Sequence, residues 1–420
     1  MKRRHALCCS AALAAGLFTS LSAPVRAISF EEGWRNPCRG PLPRDLANHD
    51  LLLQAFEGLD AAALWDTHCH LLGTGDSGSG CSVNAQMHER WHPGEVLRRR
   101  MILNAACVAN PARSIDRAYV QCLADLTADF PPGARWMLFA FDHACDDRGQ
   151  ANAAWTTFHV PDAYASKIAA ADPQRFTWVA SVHPYRDDAL ARLDSALGDG
   201  AVAIKWLPSA MNIDLRDPRC AVFYDRLARE HVPLIVHCGE EKAVPGAGRD
   251  ELGNPVLARV PLQHGVRVVM AHAATLGQAR DLDRRSQPTV AAFDLWSRLM
   301  GEADAQDLLL ADVSAVFQSN REPRIWRELL VHEAWHARLL HGSDHPLPGV
   351  MPLYAPQRLA DAGLLDAGAV APLRRIREHN PLLFDFVLKR HLRLGTNRLP
   401  RSVFETRGHF ARTPARPNQA

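Results

Sequence analysis

Two histidines separated by one residue, His68 and His70, are the first residues whose types and spacing suit metal chemistry. They follow the apolar run 61–65, and an apolar run that stops in polar residues is typical of a buried strand opening into a cavity. Because side chains alternate along a strand, both imidazoles point to the same side and could bind one metal ion. The same spacing also arises by chance or in a hydrogen-bonded pair, so the metal hypothesis depends on ligands elsewhere.

Further candidate ligands stand at the ends of other apolar runs: Lys205, His237, His272 and Asp344. Imidazole nitrogens and carboxylate oxygens are suitable ligands for Zn²⁺ and similar divalent ions. If the strand ends that carry these residues meet at one place, side chains far apart in the sequence form a single metal-binding cavity.

Several of these residues also have an ordinary structural interpretation. Lys205 could form an ion pair with Glu240 or Asp312, and Asp312 could itself face the cavity. His272 could be a hydrogen-bonded core histidine. Asp344 could cap the helix that follows it. The sequence leaves these alternatives open.

Three more polar residues lie close to predicted strand ends. Glu240 and Glu241 could support a ligand histidine, or they could form a solvated loop pair. His183 could reach a substrate or hydrogen-bond to a neighbouring loop, and we expect the second.

The elements that must position these residues are eight short apolar segments. The predicted strands are the His68–His70 run and residues 135–142, 176–183, 201–207, 232–237, 266–272, 308–316 and 338–340. Helical patterns separate most of the later ones. Strands that alternate with helices in this way predict an α/β fold, a (β/α)8 TIM barrel, in which the carboxyl ends of all strands face one cavity.

The sequence divides into four parts. Residues 1–27 are predicted to be a signal peptide and residues 28–62 an N-terminal extension. The barrel covers residues 63–395 and includes a final amphipathic helix, 380–394, that packs on the outside. Residues 396–420 are rich in Arg and Pro and predict a loose tail.

The signal-peptide prediction rests on a positive start at residues 2–4, an apolar stretch at 6–21 and small residues around 25–27. The apolar stretch is too short and too interrupted for a membrane span. We therefore expect cleavage after Ala27, export to the periplasm or the exterior, and no stable membrane span in the mature chain. An uncleaved anchor or a misassigned start codon is the alternative.

Eight cysteines remain after this cleavage, and some could pair in an oxidising compartment. The better disulfide candidates lie in loop-like sequence: Cys38, Cys81, Cys145 and Cys220. Cys107 and Cys122 lie in helical patterns. Cys69 and Cys238 adjoin candidate ligand histidines, so strand alternation predicts that they face away from the cavity into the core.

The composition limits the classes of partner. The chain has 420 residues and a net charge of +2, without long runs of Lys or Arg. A nucleic-acid partner is therefore not indicated. We expect a small-molecule substrate, whose identity is set by loops that one sequence does not decode. The oligomeric state, a homo-oligomer included, stays open.

The ordered set His-x-His, Lys, His, His and Asp resembles the amidohydrolase superfamily of metal-dependent hydrolases over most of residues 63–394. Gly-Ser-Asp-His-Pro at 342–346 is similar to the Gly-[Ser/Thr]-Asp-x-Pro segment of the branch that contains aminocarboxymuconate-semialdehyde decarboxylase. Asn-Pro-Leu-Leu-Phe at 380–384 is similar to the closing Asn-x-x-x-Phe helix of that branch. The resemblance rests on the order of these motifs along the chain, because each motif by itself is common in unrelated proteins.

The resemblance implies a centre for one or two divalent ions, Zn²⁺ by preference, with these ligands: His68, His70, Lys205, His237, His272 and Asp344. The first two histidines and Asp344 would hold the more buried ion, and the later histidines a second, bridged by a carbamate on Lys205. Carbamylation would be needed because a lysine ammonium is cationic and has no lone pair. The named branch usually holds one ion, and there His272 would act as an acid/base.

The function implied is that of a metal-dependent hydrolase. The metal lowers the pKa of a bound water from about 15.7 toward about 7, and this water attacks an amide, ester or lactone bond. Asp344 would serve as the proton shuttle, while the metal or His272 stabilises the oxyanion. The alternative is a metal-dependent decarboxylase, a lyase, on the same barrel. A barrel that only binds a ligand is a third hypothesis, which the complete ligand set disfavours.

Overall fold

The computed structural model describes residues 32–109 and 114–411, so the predicted signal peptide lies outside the described residues. The barrel strands are β1 (Trp65–His70), β2 (Arg135–Phe139), β3 (Phe176–Val179), β4 (Ile204–Trp206), β5 (Leu234–His237), β6 (Val268–Ala271), β7 (Leu309–Asp312) and β8 (Leu339–Leu340). Each lies within or overlaps one of the eight predicted segments.

The strands pair in parallel from β1 to β3 and from β4 to β8. Backbone hydrogen bonds join the two sheets at both seams. Lys205 N donates to Ala180 O over 2.8 Å, and Thr67 N donates to His341 O over 3.0 Å. The sheet therefore closes on itself, which confirms the predicted α/β fold with a (β/α)8 barrel.

Helices surround the barrel: α1 (Arg44–Ala47), α2 (Asp50–Phe56), α3 (Pro93–Ala105), α4 (Ile115–Thr127), α5 (Asp162–Ala171), α6 (Ala189–Gly198), α7 (Pro208–Met211), α8 (Arg219–Arg229), α9 (Arg259–Gln263), α10 (Ala292–Met300), α11 (Pro323–Val331), α12 (Glu333–His336), α13 (Pro356–Asp361), α14 (Val370–His379) and α15 (Pro381–His391). Across residues 32–109 and 114–411, no helix has both the length and the apolarity that crossing a membrane requires.

Apolar side chains fill the interior of the barrel. They point inward because neighbouring positions on a strand face opposite sides, so that roughly every second residue faces the axis. The cluster comprises Trp65, Met137, Phe139, Val179, Ala203, Ile235, Val269, Leu310, Leu340 and Phe410. Nine members of this cluster lie on the barrel strands or next to them. Phe410 is the exception and lies near the end of the described chain.

The segment 396–411 packs against the barrel, so the prediction of a loose tail is wrong for these residues. Thr406 Oγ1 donates to Trp65 O over 2.7 Å, and Arg407 N donates to Ala63 O over 3.1 Å. Phe404 and Phe410 are buried. The segment therefore covers the amino-terminal end of the barrel. Burial of its few apolar residues orders it, although its composition is rich in Arg and Pro. Residues 412–420 lie outside the described chain.

The last helix, α15, is buried nearly all round, so the prediction of an amphipathic helix is wrong. On its outward side the N-terminal extension covers it: the Phe56 and Phe386 rings stack with centroids 4.8 Å apart, and Arg390 Nε donates to Ala55 O over 2.7 Å. On the barrel side, the fully buried Lys389 Nζ donates to Asp385 Oδ2 and, over 2.7 Å, to Gly342 O. The sequence shows charges on this helix, but these charges pair inside the protein.

A disulfide joins Cys38 to Cys107. Cys38 is one of the predicted loop cysteines, whereas the helical prediction for Cys107 is wrong because α3 ends at Ala105 and Cys107 has φ +57°. The other three disulfide candidates are free cysteines: Cys81, Cys145 and Cys220. Cys69 and Cys238 are buried in the core, as strand alternation predicts.

Replacement of Phe410 by Ala tests the closing role of the C-terminal segment. Because the ring fills the barrel interior, Phe410→Ala should lower the free energy of unfolding by about 3–5 kcal/mol. Urea denaturation followed by circular dichroism measures this change. Gly408→Ala is the matched control, since an added Cβ there meets no atom within 4 Å. Equal stability of the two variants would contradict the assignment.

Candidate metal centre and active-site cavity

Three of the predicted ligands, from opposite ends of the barrel sequence, meet at the seam between β1 and β8. His70 Nε2 lies 3.0 Å and His68 Nε2 lies 3.4 Å from Asp344 Oδ1. The two rings point the same way, as the sequence predicts. The pairing of β1 with β2 shifts register between Asp66 and Cys69, which lets both Trp65 and His68 face inward.

Close backbone contact at this seam sets the geometry. Asp344 N donates to His68 O over 2.7 Å, and Asp344 has φ +56°. A Cβ on Gly342 would lie 2.6 Å from His68 Cβ, so only glycine fits this crossing. On the outer side, Asp66 Oδ1 accepts from His68 N over 3.0 Å and from Ser343 N over 2.9 Å. The alternative that Asp344 merely caps a helix is wrong, since its carboxylate faces the histidines.

Asp312, at the end of β7, orients His68. Its Oδ2 lies 2.9 Å from His68 Nδ1. A carboxylate accepts hydrogen bonds, so we assign the ring proton to Nδ1, which leaves a lone pair on Nε2. Burial lowers the pKa of His68 well below its usual range, so the ring is neutral. Its Nε2 therefore presents a lone pair to an oxygen of Asp344, and a cation between these two acceptors would bind both.

His272 approaches the same carboxylate from β6. Its Nε2 lies 3.8 Å from Asp344 Oδ2, and its Nδ1 lies 2.8 Å from Ser314 Oγ. Ser314 in turn donates to Asp312 Oδ1, which also accepts from the backbone N–H of His272 over 3.1 Å. One aspartate thus positions two rings, and His272 faces the cavity instead of being an ordinary core histidine.

Lys205 and His237 face the cavity without hydrogen-bond partners. Among the described residues, Lys205 Nζ and His237 Nε2 are both buried and form no hydrogen bond. The alternative that Lys205 pairs with Glu240 or Asp312 is not found in this part of the chain: Asp312 binds His68, and Glu240 pairs with Lys242. Burial and the neighbouring Lys205 lower the pKa of His237 to about 3.

The remaining polar candidates divide into structural and cavity residues. Glu241 is half-buried, with Oε2 3.4 Å from His237 Nε2, and its Oε1 accepts from the N–H of Val244 over 2.8 Å. It therefore lies beside a candidate ligand without a hydrogen bond to it. His183 is structural, as expected: its Nε2 donates to Met211 O over 2.8 Å, and its Nδ1 accepts from Tyr185 N over 3.2 Å.

All six predicted site residues line one cavity of about 920 Å³, open mouth included. Its other walls are mostly apolar, with residues such as Leu72, Ile102, Phe141, Phe158 and Leu353. Ser314 and Arg321 were not identified from the sequence. Ser314 stands two positions after Asp312, so strand alternation could have indicated it. Nothing in the sequence distinguishes Arg321 from surface arginines.

Arg377, on α14, holds the loop that follows Asp344 and was also not identified from the sequence. Its guanidinium is fully buried and donates over 2.7–3.0 Å to backbone oxygens of Pro348, Val350, Met351 and Tyr354. These bonds satisfy carbonyls that would otherwise lack partners. They fix the loop that supplies the wall of the cavity next to Asp344.

A barrel with imidazole and carboxylate groups at the carboxyl ends of its strands has the architecture of a metal-dependent enzyme. The chain belongs to the amidohydrolase family, whose profile matches residues 65–382. The family usually binds a divalent metal, and the buried group of His68, His70 and Asp344 could hold one.

Several solved structures are similar in fold. 5-Carboxyvanillate decarboxylase from Sphingomonas paucimobilis has 12% identity and a TM-score of 0.45, covering 83% of this chain and 99% of that chain. A TIM-barrel protein from Bordetella bronchiseptica has 14% identity and a TM-score of 0.42, covering 71% and 99%. 4-Oxalomesaconate hydratase from Rhodopseudomonas palustris has 14% identity and a TM-score of 0.38, covering 67% and 81%. The search of curated proteins returned no match.

The role of Asp312 can be tested by Asp312→Asn. An amide can present its NH₂ to His68 Nδ1 and so favour the wrong tautomer, and loss of such a partner lowers metal affinity by about 10–100-fold. Competition with a chelator measures the affinity. Asp281→Asn is the control, since Asp281 is equally buried but pairs with Arg298 elsewhere. An unchanged affinity in Asp312→Asn would show that Asp312 does not orient the ligand.

Proposed function

We propose that the protein is a metal-dependent hydrolase that cleaves an amide, ester or lactone bond of a small molecule. The proposal is carried by the position of His68 Nε2, whose lone pair points to Asp344 Oδ1. His70 lies beside this pair, and all three residues line a mostly apolar cavity. These three residues would hold the ion, with Zn²⁺ as the best match to the donor set. A bound divalent ion would lower the pKa of water toward about 7 and polarise the scissile bond.

The residues of the chain supply positioning and proton transfer. Asp344 presents a second oxygen, Oδ2, toward His272 and can take a proton from the attacking water and pass it to the leaving group. His272 Nε2 points to the same place, and because the Nδ1–H of this ring donates to Ser314 Oγ, Nε2 carries a lone pair that can accept a proton or bind an ion. The developing oxyanion would then be stabilised by the bound ion. Asp312 and Ser314 keep both rings in orientation. The apolar walls limit access of bulk water to these groups.

The number of ions depends on Lys205. An unmodified lysine offers no ligand, whereas a carbamate offers two oxygens. Lys205 lines the same cavity as His68 and His237, and its Nζ has no acceptor in the described part of the chain. This position supports a carbamate that bridges a second ion bound by His237 and His272.

A metal-dependent decarboxylase is the second candidate, and the apolar walls of the cavity favour it. When a carboxylate leaves as carbon dioxide, the electron pair of the broken C–C bond stays on the carbon left behind, which takes up a proton. Weakly polar surroundings promote this step because they destabilise the localised charge of the carboxylate. The same three residues would hold the ion in this case.

We also propose export to the periplasm or the exterior. The support is the predicted signal peptide together with the Cys38–Cys107 disulfide, because disulfides persist mainly in oxidising compartments.

Metal content tests the site directly. Inductively coupled plasma mass spectrometry of the purified protein should find one or two divalent ions per chain, and His68→Ala should lose metal while its circular dichroism spectrum is retained. His264→Ala, which removes a histidine paired with Asp225 outside the cavity, should keep the metal. Full metal content in His68→Ala would refute the site. Two ions together with a carbamate signal in ¹³C NMR would support bridging by Lys205.

The products separate the two candidate reactions. A hydrolase should release an acid, detected by base uptake with a panel of esters and lactones and by amine release with a panel of amides. A binuclear hydrolase should lose activity in Lys205→Ala by about 10²-fold or more. A decarboxylase should release carbon dioxide from aromatic acids and tolerate Lys205→Ala. Carbon dioxide release without base uptake would replace the first proposal by the second.

A further inference from the structure

The first described part of the N-terminal extension, residues 32–40, lies across the ends of two helices, and we call it the N-terminal strap. Its disulfide joins Cys38 to Cys107, two residues beyond the end of α3. Two hydrogen bonds support this link. Asn36 N donates to Asn104 Oδ1 over 2.9 Å, and Asn104 Nδ2 donates to Asn36 O over 3.0 Å. The strap is therefore attached to the end of α3 both covalently and by hydrogen bonds.

The same strap is attached to α14. Arg374 Nε donates to Oε1 of the buried Glu32 over 2.8 Å. At the other end of the strap, Arg39 Nε donates to Glu378 Oε2 over 2.5 Å, and Arg39 N donates to Glu378 O over 2.9 Å. Exposed ion pairs such as that of Arg39 stabilise little, so the disulfide is the strongest single link in the bridge from α3 to α14.

Both helices contact the loop that follows Asp344, residues 346–354. α3 meets this loop at Gly349, where an added Cβ would lie 2.1 Å from Ala105 O. α14 meets it through Arg377, whose guanidinium donates to four of its carbonyl oxygens. The loop thus lies between the two helices that the strap joins, and the distance between these helices sets its position.

This loop forms part of the wall of the candidate active-site cavity. Pro346 and Leu347 at its start line the cavity, and so does Ile102 of α3. A shift of α3 relative to α14 would therefore move the wall next to Asp344. Four backbone hydrogen bonds report on such a shift: Leu347 N to Asp344 O, Gly349 N to Pro346 O, Val350 N to Leu347 O and Leu353 N to Val350 O.

We infer that the N-terminal strap is a redox-sensitive switch for the active-site wall. The Cys38–Cys107 disulfide fixes the loop 346–354 against α3 and α14, and reduction of the disulfide releases it. This regulation goes beyond the proposed function and applies to either candidate reaction. In a chain exported as proposed, the wall would become fixed only in the oxidising compartment.

The redox step needs a thiol reductant, and a dithiol supplies it. One thiolate of the dithiol attacks a sulfur of the disulfide and the S–S bond breaks. Two electrons and two protons then pass to Cys38 and Cys107, while the dithiol is oxidised to its own disulfide. Both cysteines are half-buried, so a small reductant can reach them.

Hydrogen–deuterium exchange of the purified, metal-containing protein tests the inference without turnover. Tris(2-carboxyethyl)phosphine reduces the disulfide and takes up an oxygen atom from water, and alkylation of Cys38 and Cys107 confirms the reduction by mass. The amides of residues 347, 349, 350 and 353 should then exchange about tenfold faster or more, because their local opening becomes easier. The amides of β5 are the internal reference, since a core strand exchanges mainly through global unfolding, and their rates should not change.

Two variants complete the test. The double variant Cys38→Ser, Cys107→Ser should show the fast exchange of the loop without reductant and should not respond to it. Cys122→Ser removes a half-buried free cysteine on α4 and is the matched control. It should exchange like the unaltered protein, before and after reduction.

Two results would overturn the inference. One is unchanged exchange of the four loop amides after confirmed reduction. The other is an equal increase in the loop and in β5, which would give the disulfide a general stabilising role only. Reduction of the folded, unaltered protein decides the matter even if the double variant does not fold. Failure of the proposed function is seen separately, in metal content and products.

Discussion

The approach of β8 to β1 is the constraint on which the candidate metal centre depends. The Asp344 N–H binds His68 O over 2.7 Å, and the absence of a side chain at Gly342 lets the two strands come this close. As a result, a carboxylate from near the end of the barrel sequence lies within 3.4 Å of two imidazoles from its beginning. The contact between β8 and β1 that closes the barrel therefore also brings the candidate ligands together.

Buried charges support this seam from outside the barrel. Asp66 binds the backbone N–H groups of His68 and Ser343, while Lys389 on α15 binds Gly342 O and pairs with Asp385. Burial raises the pKa of Asp66 to about 6 and that of Asp385 to about 7. Lys389 and Asp385 are tolerated at this depth because they pair with each other, and Asp66 is tolerated because two backbone N–H groups bind its Oδ1. Removal of Lys389 or Asp385 would leave the other charge uncompensated.

Segments outside the strands complete the barrel at both ends of the chain. The N-terminal extension covers α15 and is tied to the end of α3 by the Cys38–Cys107 disulfide. The C-terminal segment inserts Phe410 into the barrel interior. Without these two segments, α15 and the amino-terminal end of the barrel would be exposed. The folded domain therefore includes both segments in addition to the (β/α)8 barrel.

The amino-acid sequence by itself determined the eight strands, the order of the candidate ligands and the common direction of His68 and His70. These features depend on local apolar runs and on the alternation of side chains along a strand. Only the tertiary structure decided that Asp312 and Ser314 orient two histidines, that Lys205 has no acceptor in the described chain, and that Arg321 is a cavity cation. It also reversed the predictions for Cys107, for α15 and for residues 396–411. Burial and the pairing of charges arise from contacts between residues far apart in the chain, and no local pattern records them.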